Sequence, residues 1–305
     1  MTNAFVYLIE FMVGLVLLIK GNDIFIDGAA GLAKKLGISE HMIGLTLVAF
    51  ATSLPELAVS SIASFNREEG IAIGTVVGSN VANICLVLGV AALIMQLKTT
   101  RETRRDAIFM TAVAFLLFGS IAIDKRIDRY DSLIFLSIYA FFIYYLYKTH
   151  KENNEIRAGQ GGYAKETAFV IFGSVGVVLG AHFLVESGAG IAEFFGISQL
   201  VIGLSMVAVG TSLPELSSSI TAAIKRKHGI AVGNIIGSNI INILLVLGIA
   251  GAINPIGAEE TLYVTVPFLL FVSLITAFFA GRKIGVKHGV FLLFLYGCFI
   301  VSIFL

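Results

Sequence analysis

Two carboxylates in this sequence stand where a charge is costly. Glu56 closes the run Ala51-Thr52-Ser53-Leu54-Pro55-Glu56, inside an apolar stretch from Met42 to Phe65, and Glu215 closes Gly210-Thr211-Ser212-Leu213-Pro214-Glu215. A proline within a helix donates no backbone hydrogen bond and presses on the carbonyl four residues earlier, here Ala51 and Gly210. In a bilayer such a break is tolerated only where the freed carbonyls meet protein, water or an ion. Thr52, Ser53, Thr211 and Ser212 add hydroxyl oxygens, and each Glu begins a new half-helix, where the helix dipole favours negative charge. Two of the four prolines in the chain fall in this motif, each followed by Glu. Taken singly, either proline could be a mere kink. Two intramembrane glutamates at matching breaks point to an ion pathway.

A second motif, Gly78-Ser79-Asn80-Val81-Ala82-Asn83, recurs as Gly237-Ser238-Asn239-Ile240-Ile241-Asn242. Ser79 and Asn83 are four apart and share one helical face, as do Ser238 and Asn242. Interhelical hydrogen bonding is the plain role for such residues; beside the Pro-Glu breaks they read as ligands. Asn80 and Asn239 point elsewhere and suit bonding to a neighbouring helix. Gly74/Gly78 and Gly233/Gly237 have the spacing that lets backbones approach closely. The assembled oxygens are hard donors. They suit Ca²⁺, which takes about 6–8 oxygens, rather than zinc or copper, which prefer His and Cys. The two carboxylates neutralise one divalent ion, and the same oxygens spread over more positions could hold several Na⁺.

The elements that must position these groups are membrane helices. The chain has 305 residues, 57% hydrophobic and only 13% charged, against about 25% charged in soluble domains, and its mean hydropathy is +0.93. Apolar runs of spanning length, about 20 residues, predict ten spans: 3–33, 40–65, 70–96, 106–123, 131–148, 166–193, 199–224, 229–253, 261–281 and 286–304. Cys85 and Cys298 both lie within spans, so no disulfide framework is implied. Net charge of +1 gives no reason to invoke nucleic acid. The N-terminus lacks a basic leader and reads as a retained first helix.

A shift of 159 positions aligns Gly37–Glu56 with Gly196–Glu215 and Gly70–Gly89 with Gly229–Gly248, thirteen identities in twenty each time, without a gap. Five spans per half is odd, so the second half enters from the opposite face. The expected fold is all-α and polytopic: inverted five-helix repeats, with helices 2, 3, 7 and 8 broken or irregular around a site at their interface. The expected organisation is a first half 1–148, a cytoplasmic linker 149–164 and a second half 165–305. With the N-terminus outside, sixteen Lys and Arg fall in inner loops and four in outer ones (Arg67, Lys125, Arg126, Arg129). That bias places both termini outside the cell membrane.

The repeated T-S-L-P-E and G-S-N-x-x-N motifs resemble the two alpha repeats of the sodium/calcium exchanger family, prokaryotic type, within the cation/Ca²⁺ exchanger superfamily. The resemblance covers the whole chain. It implies an antiporter, not an enzyme, that exchanges about three Na⁺ for one Ca²⁺ by alternating access, the two long first helices sliding over a core. It also implies an ion site of Thr52, Ser53, Glu56, Ser79 and Asn83 with Thr211, Ser212, Glu215, Ser238 and Asn242, joined by the backbone carbonyls of Ala49 and Ala208. The transported ions are Na⁺ and Ca²⁺, with no cofactor. Some relatives carry Asp where Asn242 stands; Asn removes a possible third charge and argues against a K⁺ requirement. A proton/Ca²⁺ antiporter of the same superfamily is the runner-up, although neither motif contains a His or an extra acid. A Ca²⁺ channel is a third reading; channels gather acids from several subunits, whereas one chain here supplies both halves and suffices as a monomer.

The remaining polar residues in spans carry less. Lys20, Asp23 and Asp27 are three to four apart and can pair, the repeat partners of the two Asp being His182 and Glu186. Glu10 and Glu193 belong near headgroups, and Arg101–Arg105 anchors topology.

Overall fold

The protein, described here from a computed structural model, is resolved over residues 4–35, 49–151, 164–224, 226 and 228–304. Expectations for 37–48 of the first motif copy, for 152–163 of the linker, and for Lys225 and Lys227 lie outside the described residues. Twelve helical segments follow one another among the described residues: α1 (Ala4–Lys35), α2 (Ala49–Thr52), α3 (Leu54–Phe65), α4 (Glu69–Ile94), α5 (Arg101–Asp124), α6 (Arg129–Lys151), α7 (Ala164–Phe195), α8 (Gln199–Thr211), α9 (Leu213–Ile224), α10 (His228–Ile253), α11 (Leu262–Phe279) and α12 (Val286–Phe304). Seven are individually long and apolar enough to cross a membrane, and α8 with α9, bent by 42° at their junction, makes an eighth. The expected span 131–148 falls in α6, which is not one of those seven; the expected span 40–65 is described only from Ala49, as α2 and α3.

α4 and α10, the helices of the G-S-N-x-x-N motifs, form the centre. In their most apolar stretches 78% and 83% of residues are buried, against 28% for α1 and α12. Small residues allow this. A Cβ on Gly78 would lie 2.5 Å from the Leu204 carbonyl oxygen and 2.6 Å from the Ala208 Cβ, so only glycine lets α4 close on α8. That approach brings Ser79 to the second helix break. α1 and α7 pack along their length on a seam in which Gly14, Gly21 and Gly28, seven apart, meet Gly180, Gly176 and Phe169. Sevenfold spacing keeps one face of α1 on its neighbour over several turns, and α1 also touches α2, α8 and α9.

Two short antiparallel ribbons tie the halves together. β1 (Leu97–Lys98), between α4 and α5, pairs with β4 (Lys283–Ile284), between α11 and α12. β2 (Arg126–Ile127), after α5, pairs with β3 (Ile256–Gly257), before α11. The turns after α3 and α9 are also alike: Arg67 and Arg226, 159 apart, both take the left-handed backbone, with φ of 64° and 59°.

Candidate functional site

The helix breaks fall where the prolines stand. Ser53, between α2 and α3, has φ −83° and ψ 2°, and Ser212, between α8 and α9, has φ −82° and ψ 2°. Pro55 and Pro214 sit in the first turn of the helices that follow, a position where the missing N–H costs nothing. Glu56 and Glu215 lie in the same first turns, at the positive end of each helix. The residues of the two motifs therefore meet at two facing helix starts.

Around each break a threonine, a carbonyl and a serine from the opposite half come together. The Thr52 hydroxyl lies 3.3 Å from the Ala49 carbonyl oxygen and 3.3 Å from Ser238 Oγ. Its mirror, the Thr211 hydroxyl, lies 3.2 Å from the Ala208 carbonyl oxygen and 3.1 Å from Ser79 Oγ; Ser79 Oγ also reaches the Ala208 carbonyl at 3.4 Å. The glutamates cross over in the same way. Thr211, Ser79 and Ser212 flank Glu56, while Thr52 and Ser238 flank Glu215. None of these hydroxyls reaches a carboxylate oxygen in hydrogen-bond geometry, and among the described residues all four buried carboxylate oxygens lack a donor. Both glutamates are fully enclosed.

The carboxamides complete the set. Asn83 is buried with neither amide atom partnered. Asn242 donates its NH₂ to Asn80 Oδ1 at 3.0 Å, which leaves its own Oδ1 buried and free. Asn80 and Asn239 bond across the centre as expected, each amide NH₂ donating to the other's backbone carbonyl at 3.2 and 3.3 Å. Ser53 and Ser212 hydroxyls are buried and unpartnered. Ten of the twelve expected site residues thus lie in the paired breaks or against them, and Asn83 and Asn242 follow Ser79 and Ser238 by four residues on α4 and α10.

A buried polar atom without a partner is rare in native proteins and needs an explanation. Among the described residues the orphans include oxygens of Glu56, Glu215, Ser53 and Ser212 at the two breaks and of Asn83 and Asn242 on α4 and α10; Asn22, Asn239, His228 and Tyr296 also carry unpartnered atoms. Two carboxylate charges out of water need a counter-charge, because an isolated buried ion is prohibitively costly. A cation held between the two glutamates would supply that charge. Among the described residues no three of His, Cys, Asp and Glu come together, so the set is an oxygen site with two acids.

Sequence reasoning missed two features. The first is the form that the expected irregularity of these helices takes: α4 widens to a π-helical turn at Ala82–Val87 and α10 at Asn242–Leu247, and α8 does so at Gly203–Val207. Such turns often mark functional sites, and Asn83 and Asn242 lie within them. The second is Asn234, whose Oδ1 accepts from the Thr52 hydroxyl at 3.3 Å. Its signal was available, since the 159-residue shift sets it opposite Thr75, one of the few polar mismatches in the second motif. The side residues resolve simply: Lys20 and Asp23 pair at 3.7 Å and His182 and Glu186 at 3.4 Å, all largely exposed.

An integral membrane protein with an enclosed oxygen site between paired helix breaks is the architecture of a cation transporter. Comparison with known proteins agrees. The model of the sodium/calcium exchanger protein family matches residues 6–148 and 165–305, and this chain belongs to that family, whose members are transporters and not enzymes. It is 38% identical to the sodium/calcium exchanger MaX1 of Methanosarcina acetivorans, over 96% of this chain and 97% of that protein. It is 32% identical to the inner membrane protein YrbG of Escherichia coli, over 89% and 88%. Among solved structures it resembles the sodium-calcium exchanger NCX_Mj soaked with Na⁺ and Sr²⁺, at a TM-score of 0.72 and 32% identity, covering 98% of this chain and 99% of that one.

Proposed function

We propose that the protein is a secondary antiporter exchanging about three Na⁺ for one Ca²⁺ by alternating access, at one site shared by both ions. The observation that carries this reading is the set of buried, donorless oxygens around Glu56 and Glu215. Ca²⁺ takes both carboxylates with the Asn83 and Asn242 oxygens. The two Thr–Ser–carbonyl triads suit smaller oxygen cages for Na⁺. A site of charge −2 is neutral with one Ca²⁺ and +1 with three Na⁺, so each cycle moves one charge, worth roughly 2.3 kcal/mol per 100 mV.

The expected architecture of ten spans in two inverted halves, 1–148 and 165–305 around the linker 149–164, belongs to this proposal. The ribbons support it. β1 lies before α5 and pairs with β4, which lies after α11, while β2 after α5 pairs with β3 before α11. If α5 and α11 each cross the membrane, these pairings make them antiparallel, as equivalent helices of inverted halves must be. The same pairings put 97–98 and 283–284 on one face, where the excess of Lys and Arg places the cytoplasm, and both termini then lie outside. On the outer face a cavity of about 900 Å³ between α1 and α7 is lined by Glu10, Glu68, Glu186 and Glu193. Acid-lined clefts concentrate cations. A single chain supplies both halves of the site, so a monomer is sufficient.

The test is Ca²⁺ uptake into proteoliposomes. An outward Na⁺ gradient drives uptake on this reading. Uptake driven by a pH gradient and not by Na⁺ would establish the proton-coupled alternative instead, and uptake without any counter-ion would indicate a channel.

A further inference from the structure

The two triads differ in one neighbour. Behind Thr52 stands Asn234, buried, one helical turn before Ser238 on α10. The equivalent of Asn234 is Thr75, whose hydroxyl is spent on its own helix, donating to the Ile71 carbonyl at 2.7 Å. Among the described residues the Thr211 hydroxyl has hydrogen-bond partners only in the Ala208 carbonyl and Ser79, with no counterpart of Asn234.

The orientation of Asn234 follows from its other neighbour. Ser219 Oγ donates to the Ala231 carbonyl at 3.5 Å, so toward Asn234 it can only accept. Asn234 Nδ2 donates to it at 3.3 Å. The amide oxygen therefore faces Thr52 and accepts its hydroxyl hydrogen.

A hydroxyl has one hydrogen and two lone pairs. If the Thr52 hydrogen goes to Asn234, outside the triad, Ser238 donates to Thr52, and one Thr52 lone pair, the Ala49 carbonyl and the Ser238 lone pairs are left as acceptors for a cation. In the Thr211 triad the acceptors available to the hydrogen are the Ala208 carbonyl and Ser79, both of them members of the triad. An ion entering there must displace that bond or leave one oxygen occupied.

We infer that Asn234 is a positioning residue that takes the Thr52 hydrogen out of the cage, so that the Ala49–Thr52–Ser238 triad is the stronger of two unequal Na⁺ sites. This rests on the reading of the triads as Na⁺ sites. Ca²⁺ draws on the carboxylates and is little affected by Asn234.

The test replaces Asn234 by the residue its repeat partner carries, Asn234→Thr, and measures two fluxes in proteoliposomes. One is Na⁺-driven Ca²⁺ uptake as a function of Na⁺. The other is Ca²⁺/Ca²⁺ exchange without Na⁺, which requires an intact fold and Ca²⁺ site alone. The expected result is a Na⁺ half-saturation raised about three- to tenfold, the value of one net hydrogen bond, with Ca²⁺/Ca²⁺ exchange unchanged. An unchanged Na⁺ half-saturation overturns the inference, and so does an equal fall in both fluxes, which would mark Asn234 as structural. The isosteric Asn234→Asp keeps an acceptor toward Thr52 but no donor for Ser219. If Asn234→Thr is poorly folded, Asn234→Asp decides: it must retain Ca²⁺/Ca²⁺ exchange with a Na⁺ half-saturation that is not raised, and a raised value overturns the inference. Failure of wild-type protein to move Ca²⁺ in either assay would instead sink the exchanger reading itself.

Discussion

The Thr52 and Thr211 triads are made of the same residue types, yet their surroundings differ. Thr52 has an acceptor outside its triad, Asn234 Oδ1, and among the described residues Thr211 has hydrogen-bond partners only within its own triad. The carboxamides differ too: Asn242 is held by Asn80 Oδ1, while Asn83 has no partner and Asn239 Oδ1 is left unpaired. The glutamates, by contrast, are alike in helix position, burial and lack of donors. Duplication supplies two copies of a half-site. The parts that carry charge stay symmetric, and the hydrogen bonds behind them diverge. A divalent ion that needs both carboxylates sees the symmetric part, and monovalent ions in separate cages see the asymmetry.

The comparison can be broken most strongly at the carboxylates. Glu56→Gln and Glu215→Gln are each expected to reduce Ca²⁺ uptake at least about 100-fold, because removing one charge of a buried charged set costs roughly 3 kcal/mol or more. The two losses should be equal; a large difference in uptake would mean that one half dominates. Asn242→Asp is milder. It adds a third acid and sets a carboxylate against Asn80 Oδ1, so transport is expected to persist, reduced roughly tenfold by the lost donor, and to acquire a pH dependence seen in uptake assays across pH. Ser79→Ala and Ser238→Ala each remove one triad oxygen, expected to raise Na⁺ half-saturation about fivefold. The rise should be larger for Ser238→Ala, since its triad is the stronger. Asp23→Asn breaks an exposed pair with Lys20. Exposed pairs contribute under about 1 kcal/mol, so flux is expected to stay within roughly twofold.

Much of the site was legible before the structure because it depends on residue identity. Pro in an apolar run forces a break, Glu after it places charge at a helix start, and a gapless repeat doubles both. The breaks at Ser53 and Ser212 lie where the prolines predict them. The π-helical turns at Ala82, Gly203 and Asn242 were not legible. They arise from how α4, α8 and α10 settle against each other, and no side-chain period records one extra residue in a turn. The crossing of partners, Thr52 with Ser238 and Thr211 with Ser79, was also hidden. It is tertiary, fixed by the glycine-permitted approach of α4 to α8. Asn234 lay between these cases, visible as a mismatch within the repeat but meaningless until Thr52 was found beside it.

The central claim is that Na⁺ and Ca²⁺ compete for one site built from both halves. Equilibrium binding of isotope-labelled Ca²⁺ to purified protein, titrated with Na⁺, tests it directly. The account predicts that Na⁺ displaces all bound Ca²⁺ with a dependence steeper than one ion per site, and that Glu56→Gln and Glu215→Gln each abolish Ca²⁺ binding. Ca²⁺ that stays bound at saturating Na⁺, or that binds normally to either variant, would contradict it.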